Sequence, residues 1–423
     1  MDSFTPQSPK RYTPVEYIPL DDIEKPERYR PGGYHPVVIG DQLSDRYHVV
    51  HKLGFGTYST TWLARDDATK KYVAVKIAIA EAENIMPESE LLNSLAVSAP
   101  SDEGVQSGGG LIAQTLDIFS LDGPNGRHIC LVTEPGMMTL AEAKDASYTR
   151  LFNLPVARAI AAQVIRAVAF LHHRGVVHAD RLSPGELYRK YGLPNIEPFV
   201  RLDGKPLFSD GVPTHGVVPI WLGRESELVT LSDANNIFIT DFGESFLPSI
   251  SQRHRSNTPA TLAPPEAFFS LDEPLSFPSD IWTLACTVWD IMGQRSLFEG
   301  FNPSSDWMIK EHVDTLGKLP RDWWEKWDAR ERWFTNEATR IVSGGEGRPF
   351  VDRFVDSIQQ PRWGSAMEEG IGEAEKTALL TMLRGMLAYR PDERLTAREI
   401  IESEWMVRWA LPALDGKAAW PNG

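Results

Sequence analysis

A lysine stands inside an apolar run at Val73-Ala74-Val75-Lys76, shortly after the glycine-rich stretch Gly54-Phe55-Gly56-Thr57-Tyr58-Ser59. Glycines at a hairpin let backbone N–H groups approach phosphate oxygens, because no Cβ intervenes. Strand alternation points Lys76 away from its two neighbours and toward the face under that hairpin. An ammonium placed there is costly unless an anion pairs with it. Glu88, opening the run Glu88-Ser89-Glu90-Leu91-Leu92, is the natural partner, with Glu90 as the alternative. Taken singly, these features have ordinary readings as well: a turn, a lysine snorkelling at a strand end, a surface acid on a helix.

Two further carboxylates follow in a fixed order. His178-Ala179-Asp180 comes after a long helical pattern, a glycine break and Val176-Val177; Asp241 sits in Ile237-Phe238-Ile239-Thr240-Asp241-Phe242-Gly243, at the end of an apolar run. Further on come Ala263-Pro264-Pro265-Glu266, then Asp280-Ile281-Trp282-Thr283-Leu284, then Pro391-Asp392-Glu393-Arg394.

The elements that must hold these groups are legible in the pattern. Tyr47 to Leu53, Thr60 to Ala64 and Tyr72 to Ile77 read as strands joined by turns, and Asp122-Gly123-Pro124-Asn125-Gly126 reads as a turn between two more. Pro87 to Leu95 has helical propensity, and Ser101 to Gly110 reads as a loop. Beyond Thr139 the period turns helical, over Leu154 to His173, Asp280 to Gly293, Trp307 to Leu316, Glu373 to Leu387 and Thr396 to Leu411. Ile237 to Thr240 reads as the strand leading into Asp241.

This order resembles the eukaryotic protein kinases: glycine-rich loop, strand lysine, helix glutamate, catalytic His-x-Asp, Asp-Phe-Gly, Ala-Pro-Glu, a helix aspartate and a late arginine. A narrower likeness is carried by Tyr29 to Val37, Ile39-Gly40-Asp41, Arg46-Tyr47 and Lys52 to Gly56, with Ser59 at the third glycine and Trp62 after it. These look like the serine/arginine-protein kinases that phosphorylate splicing factors, in the fungal type with a short spacer. The resemblance implies a two-lobed α+β fold, a β-rich N-lobe and a mainly helical C-lobe, with nucleotide between them. It divides the chain into an extended arm over 1–45, an N-lobe over 46–135, a C-lobe over 136–412 with a spacer insert at about 183–228, and a tail over 413–423.

Roles follow from that likeness. Gly54, Phe55, Gly56 and Thr57 would cover the phosphates of ATP, Lys76 would neutralise the α- and β-phosphates with Glu88 positioning it, and Asp241 would bind the Mg2+ that bridges them. Asp180 would accept the proton of the incoming hydroxyl. Thr133 falls at the gatekeeper position, and Glu134 to Gly136 at the hinge that meets adenine. Glu266 and Arg394 would form a buried ion pair anchoring the substrate-binding segment.

The likeness breaks after Asp180. The family has a lysine and a metal-binding asparagine where this chain has Leu182 and Gly185, as though about fifteen residues had been removed. Asn236 lies too close to Asp241 to replace that asparagine, and Glu186, Asn195, Asp203 and Asp210 read as solvated spacer residues. Ala179 replaces the arginine that many kinases carry before the aspartate, which argues against control by loop phosphorylation.

Composition bounds the rest. The 423 residues leave room for a sizeable core, and 43 basic against 58 acidic side chains give −15. That balance disfavours a grip on nucleic acid through bulk charge and is compatible with cationic partners. Cys130 and Cys286 are the only cysteines, which excludes a disulfide framework. The polar, proline-rich start lacks the apolar core of a secretory signal, and Arg158 and Arg166 interrupt the longest apolar stretch, so no membrane segment is expected. The expectation is a monomeric serine/threonine kinase of cytoplasm and nucleus, acting on arginine/serine-rich proteins. The rivals are a pseudokinase that binds nucleotide or peptide without transfer, and a truncated gene model of an active parent. A different kind of ATP-grasping enzyme would leave His178, Glu266, Asp280 and Arg394 unexplained in this order.

Overall fold

Alternating β-branched and polar side chains build an antiparallel sheet from β1 (Gln42–Leu43), β2 (Tyr47–Phe55), β3 (Ser59–Asp66), β4 (Tyr72–Ala78), β5 (Thr115–Gly123) and β6 (Gly126–Thr133). Their order is β1-β2-β3-β4-β6-β5. The computed structural model describes residues 16–81, 111–174, 194–207, 211–239, 242, 245–254, 258–341, 347–364 and 370–416. It divides into two compact units, one of residues 1–89, 115–136 and 184–222 and one of residues 90–114, 137–183 and 223–423. The first is β-rich and the second mainly helical, giving the α+β, two-lobed organisation expected from the sequence. The expected helix over Pro87 to Leu95 and the loop over Ser101 to Gly110 lie outside the described residues.

Turn chemistry closes the sheet's hairpins. Between β3 and β4 the Asp66 carboxylate accepts from the Ala68 amide at 2.9 Å and the Thr69 hydroxyl at 2.7 Å, an Asx-type turn. Arg46 grips the same carboxylate through Nε at 2.8 Å and Nη2 at 2.9 Å. Gly123 pairs with Gly126 at the tip of the β5–β6 hairpin, where Gly126 takes a φ of 129°. One face of the sheet is a packed layer in which Val49, Trp62, Ala64, Val73, Val75, Ile77, Cys130 and Val132 meet Val37, Leu43 and Val217.

The arm and the spacer join this unit. Its second sheet pairs β7 (Ile196–Pro198) with β8 (His215–Val217), and the arm adds an antiparallel bridge from Tyr17 to Arg201. Tyr17, Ile23, Tyr29 and Tyr34 of the arm pack with Ile79 and Phe199 in a second apolar cluster. Read as an extended arm, residues 16–45 contain little regular structure, only the 3-10 turn Pro26–Arg28 and β1, yet their aromatic side chains are core. The described spacer residues 194–222 pack with the sheet, whereas the sequence reading set the insert within the helical lobe. Its link to the sheet is concrete: the Ile220 amide donates to the Lys52 carbonyl at 2.9 Å.

In the helical unit, Leu154–His173 forms a single helix with Pro155 in its first turn, and its alanines, Ile160 and Ile165 are buried. By length and composition it passes for a membrane span, but it is largely buried in the unit, where it packs on the helix Phe277–Met292. Its Arg158 is accommodated by a fork to Glu375, with Nε at 2.8 Å and Nη2 at 2.5 Å. Helices Ser305–Leu316 and Glu373–Met386 also form where the period places them. The stretch Thr396 to Leu411 is not one helix. Ala397–Ile401 ends, and a π-helical turn Met406–Ala410 leads into Leu411–Leu414. Ser403 is the cause, since its hydroxyl accepts from the Met406 amide at 3.4 Å and restarts the helix as a cap.

Candidate active site

The β2–β3 hairpin carries the glycines. Gly54 pairs with Thr61 and Phe55 with Thr60, and the tip closes through the Gly56 amide to the Ser59 carbonyl at 2.9 Å. A Cβ on Gly54 or on Gly56 would meet nothing within 4 Å. Neither packing nor a left-handed φ therefore requires glycine there. Bare backbone facing open space is what a phosphate-covering loop needs, so these residues fit a polyphosphate. Phe55, Gly56, Thr57 and Tyr58 are exposed.

Lys76 belongs to the same face. Thr61 pairs with Gly54 on one side and with Lys76 on the other, and Lys76 pairs in turn with Leu131, so the four residues form one row across β2, β3, β4 and β6. Two inter-strand steps amount to about 10 Å, a span in which a lysine side chain and a phosphate chain can meet. Lys76 is half-buried. Thr133 ends β6, opposite Ala74, and is half-buried; Glu134 beyond it is exposed and Gly136 half-buried. Glu88 and its alternative Glu90 lie outside the described residues.

In the helical unit, Asp180 and Asp241 also lie outside the described residues. Of the run Ile237 to Thr240 expected as a strand, the described residues show one isolated parallel bridge: the Ile239 amide donates to the Leu111 carbonyl at 2.6 Å and the Ala113 amide to the Ile239 carbonyl at 2.9 Å, and Thr240 lies outside the described residues. Phe242 is buried. Asn236 is exposed, and its side-chain amide donates to the Ser232 carbonyl at 2.8 Å. Asp203 is paired with Arg201 at 2.6 Å, a local spacer contact.

The ion pair expected between Glu266 and Arg394 is present, both residues buried. His172, at the end of the helix Leu154–His173, brings Nε2 to 3.1 Å from Asp280 Oδ2 on the helix Phe277–Met292. Sequence reasoning singled out Asp280 without finding this partner. It also missed Glu24 and Lys52, a pair buried in the sheet unit with the Lys52 ammonium 5.0 Å from the Trp62 ring. Burial pushes the Lys52 ammonium down in pKa, and the Glu24 carboxylate opposes this. The signal was available, because Lys52 stands in an apolar strand as Lys76 does.

Residues 47–181 and 227–406 match the family described as protein kinase domain. The chain belongs to the protein kinase family. The stretch left unmatched between the two segments overlaps the insert expected at about 183–228. A serine/threonine protein kinase of Aspergillus fumigatus is 26% identical over 416 residues, covering 95% of this chain and 96% of that protein. Serine/threonine-protein kinase spk-1 of Caenorhabditis elegans is 38% identical over 173 residues, 40% of this chain and 17% of that protein. SRSF protein kinase 3 of Homo sapiens is 37% identical over 165 residues, 38% of this chain and 28% of that protein. The kinase is thus similar to SR-protein kinases, as the arm and loop residues implied.

Proposed function

We propose that this kinase transfers the γ-phosphoryl group of ATP to serine or threonine hydroxyls in arginine/serine-rich protein segments, as a monomer of cytoplasm and nucleus. The observation that carries the reading is the row Gly54–Thr61–Lys76, which sets an ammonium on the face of a glycine hairpin whose glycines the fold itself does not require. Lys76 would meet the α- and β-phosphates, and the backbone of Gly54 to Thr57 would cover them. Asp241 is the residue to hold Mg2+, which when bound neutralises charge on the phosphates. Asp180 is the residue to take the hydroxyl proton. Glu134 and Gly136 would meet adenine through their backbone. The net charge of −15 is compatible with cationic segments as substrates.

A second reading has its own observation. Leu182 and Gly185 stand where the family has its lysine and its metal-binding asparagine, and this favours a pseudokinase that binds nucleotide without efficient transfer.

One experiment separates the two. The full chain is incubated with ATP, Mg2+ and an Arg-Ser repeat peptide, with Asp241→Ala as control. Transfer that disappears in the control is the expected result. ATP binding without transfer overturns the enzyme in favour of the pseudokinase, and no ATP binding overturns both.

A further inference from the structure

The arm does more than cover the sheet, since two of its side chains end on the glycine hairpin. Tyr34 donates its hydroxyl to the Gly56 carbonyl at 2.6 Å, and Arg28 donates Nη2 to the Thr57 carbonyl. A built turn aims both. The Tyr34 amide bonds the Arg28 carbonyl at 3.0 Å and the Gly33 amide bonds the Arg30 carbonyl at 2.7 Å. A Cβ on Gly33 would lie 2.0 Å from the Arg28 carbonyl oxygen, so only glycine closes this turn. The Arg28 guanidinium lies over the Tyr34 ring at 4.9 Å, which holds the two donors side by side.

The turn is itself anchored. Asn125, at the tip of the β5–β6 hairpin, donates to the Tyr34 and Gly211 carbonyls, each at 2.7 Å, tying arm, sheet and spacer together. The Ala80 amide bonds the Gly33 carbonyl at 3.2 Å and the Glu81 amide bonds the Gly32 carbonyl at 2.8 Å, fixing the arm to the end of β4. Tyr29 donates its hydroxyl to Glu24, which pairs with Lys52, two residues before Gly54 on β2.

A trans peptide is planar, with its C=O and N–H pointing opposite ways. Holding the Gly56 carbonyl therefore fixes the direction of the Thr57 N–H, and holding the Thr57 carbonyl fixes that of the Tyr58 N–H. We propose that Tyr34 and Arg28 are positioning residues for the nucleotide: by gripping two consecutive carbonyls they orient the Thr57 and Tyr58 amides, away from the arm, for phosphate. The arm and the spacer thereby set ATP affinity without touching ATP. This rests on the ATP reading above.

The test is isothermal titration of Mg-ATP into the full chain and into Tyr34→Phe, which removes one hydroxyl and leaves the ring packed, together with hydrogen exchange of the amides of residues 54–59. Expected is a loss of affinity of about fivefold in Tyr34→Phe, the size of one hydrogen bond, with faster exchange confined to the hairpin and a melting temperature lowered by about 2 °C at most. Arg28→Met should weaken binding similarly, and Arg28→Lys, which keeps a donor, should recover part of it. Where transfer is measurable, the KM for ATP rises and the KM for peptide does not. Equal affinity of wild type and Tyr34→Phe, or unchanged exchange of the hairpin, overturns this inference and leaves the ATP reading standing. Failure of the wild type to bind Mg-ATP overturns the ATP reading, and this inference with it.

Discussion

Arg394 holds Glu266 in a two-pronged grip, Nη1 to Oε1 at 2.8 Å and Nη2 to Oε2 at 2.5 Å, across 128 positions of sequence. The guanidinium also donates to the Pro278, Ala388 and Tyr389 carbonyls at 2.8, 2.9 and 3.1 Å, and its carbon lies 5.1 Å from the Trp282 ring centroid. Ser279 adds a hydroxyl to Glu266 at 3.0 Å. Removing the cation strands a buried carboxylate and three acceptors. Arg394→Ala should cost about 3–5 kcal/mol of unfolding free energy. Arg394→Lys should recover less than half, because an ammonium cannot match the fork. Urea denaturation of the three proteins measures both values.

The Glu24–Lys52 pair is buried in the same sense, at 2% and 0% exposure, but it should respond differently to double substitution. Among the described residues, Lys52→Met alone leaves the carboxylate with only the Tyr29 hydroxyl, and Glu24→Gln alone leaves the ammonium without an anion. Each single change is expected to cost about 3 kcal/mol or more. The double variant should lose less than the sum by at least about 1 kcal/mol, because neither charge then stays buried alone. A double-mutant cycle by chemical denaturation reads the coupling, and simple additivity would refute it.

What the sequence disclosed and what it hid separate along a physical line. Strands β2 to β4 and the helix Leu154–His173 carry their period in consecutive residues, so local pattern suffices to place them. The Glu266–Arg394 pair was legible only through likeness, since nothing local ties two residues so far apart. The seating of the arm left no local pattern to read: Tyr17, Ile23, Tyr29 and Tyr34 stand six, six and five residues apart, too far for strand or helix periodicity to join them, and their partner Phe199 comes from the spacer. The break at Ser403 hid inside a helical pattern, because a serine is tolerated in a helix until its hydroxyl finds a backbone amide to cap.

Acid should loosen the fold before the carboxylates titrate. His35 stacks edge-on to His128 with ring centroids 4.8 Å apart, and burial, reinforced by that neighbour, lowers its pKa from 6.5 to about 4. His128 is lowered as well, with burial opposed by its bond to the Ala78 carbonyl and by Asp122. His312, enclosed by Trp282, Phe298 and Phe268, is lowered by burial to about 3. Between these values and 6.5 the unfolded chain binds protons that the folded chain refuses. Stability is therefore complete above about pH 6.5 and falls as pH drops toward 4, His35 alone accounting for up to about 3 kcal/mol. Melting temperature against pH should show this slope, and His35→Phe, which cannot titrate, should flatten it.

Magnesium dependence should expose the altered loop after Asp180. In kinases with an asparagine at that place two ions share the phosphates; here Gly185 offers no side chain, so Asp241 is left as the one acid assigned to metal. Transfer is then expected to rise with free Mg2+ along a single hyperbola, without the second phase that a second bound ion would add. The maximal rate should also be low, because each 1.36 kcal/mol of charge stabilisation lost at the transferring group is about a tenfold loss in rate. Initial rates on an Arg-Ser peptide across a Mg2+ series at fixed MgATP give the curve directly. A biphasic or sigmoidal curve would mean that another side chain of the spacer supplies the missing ligand.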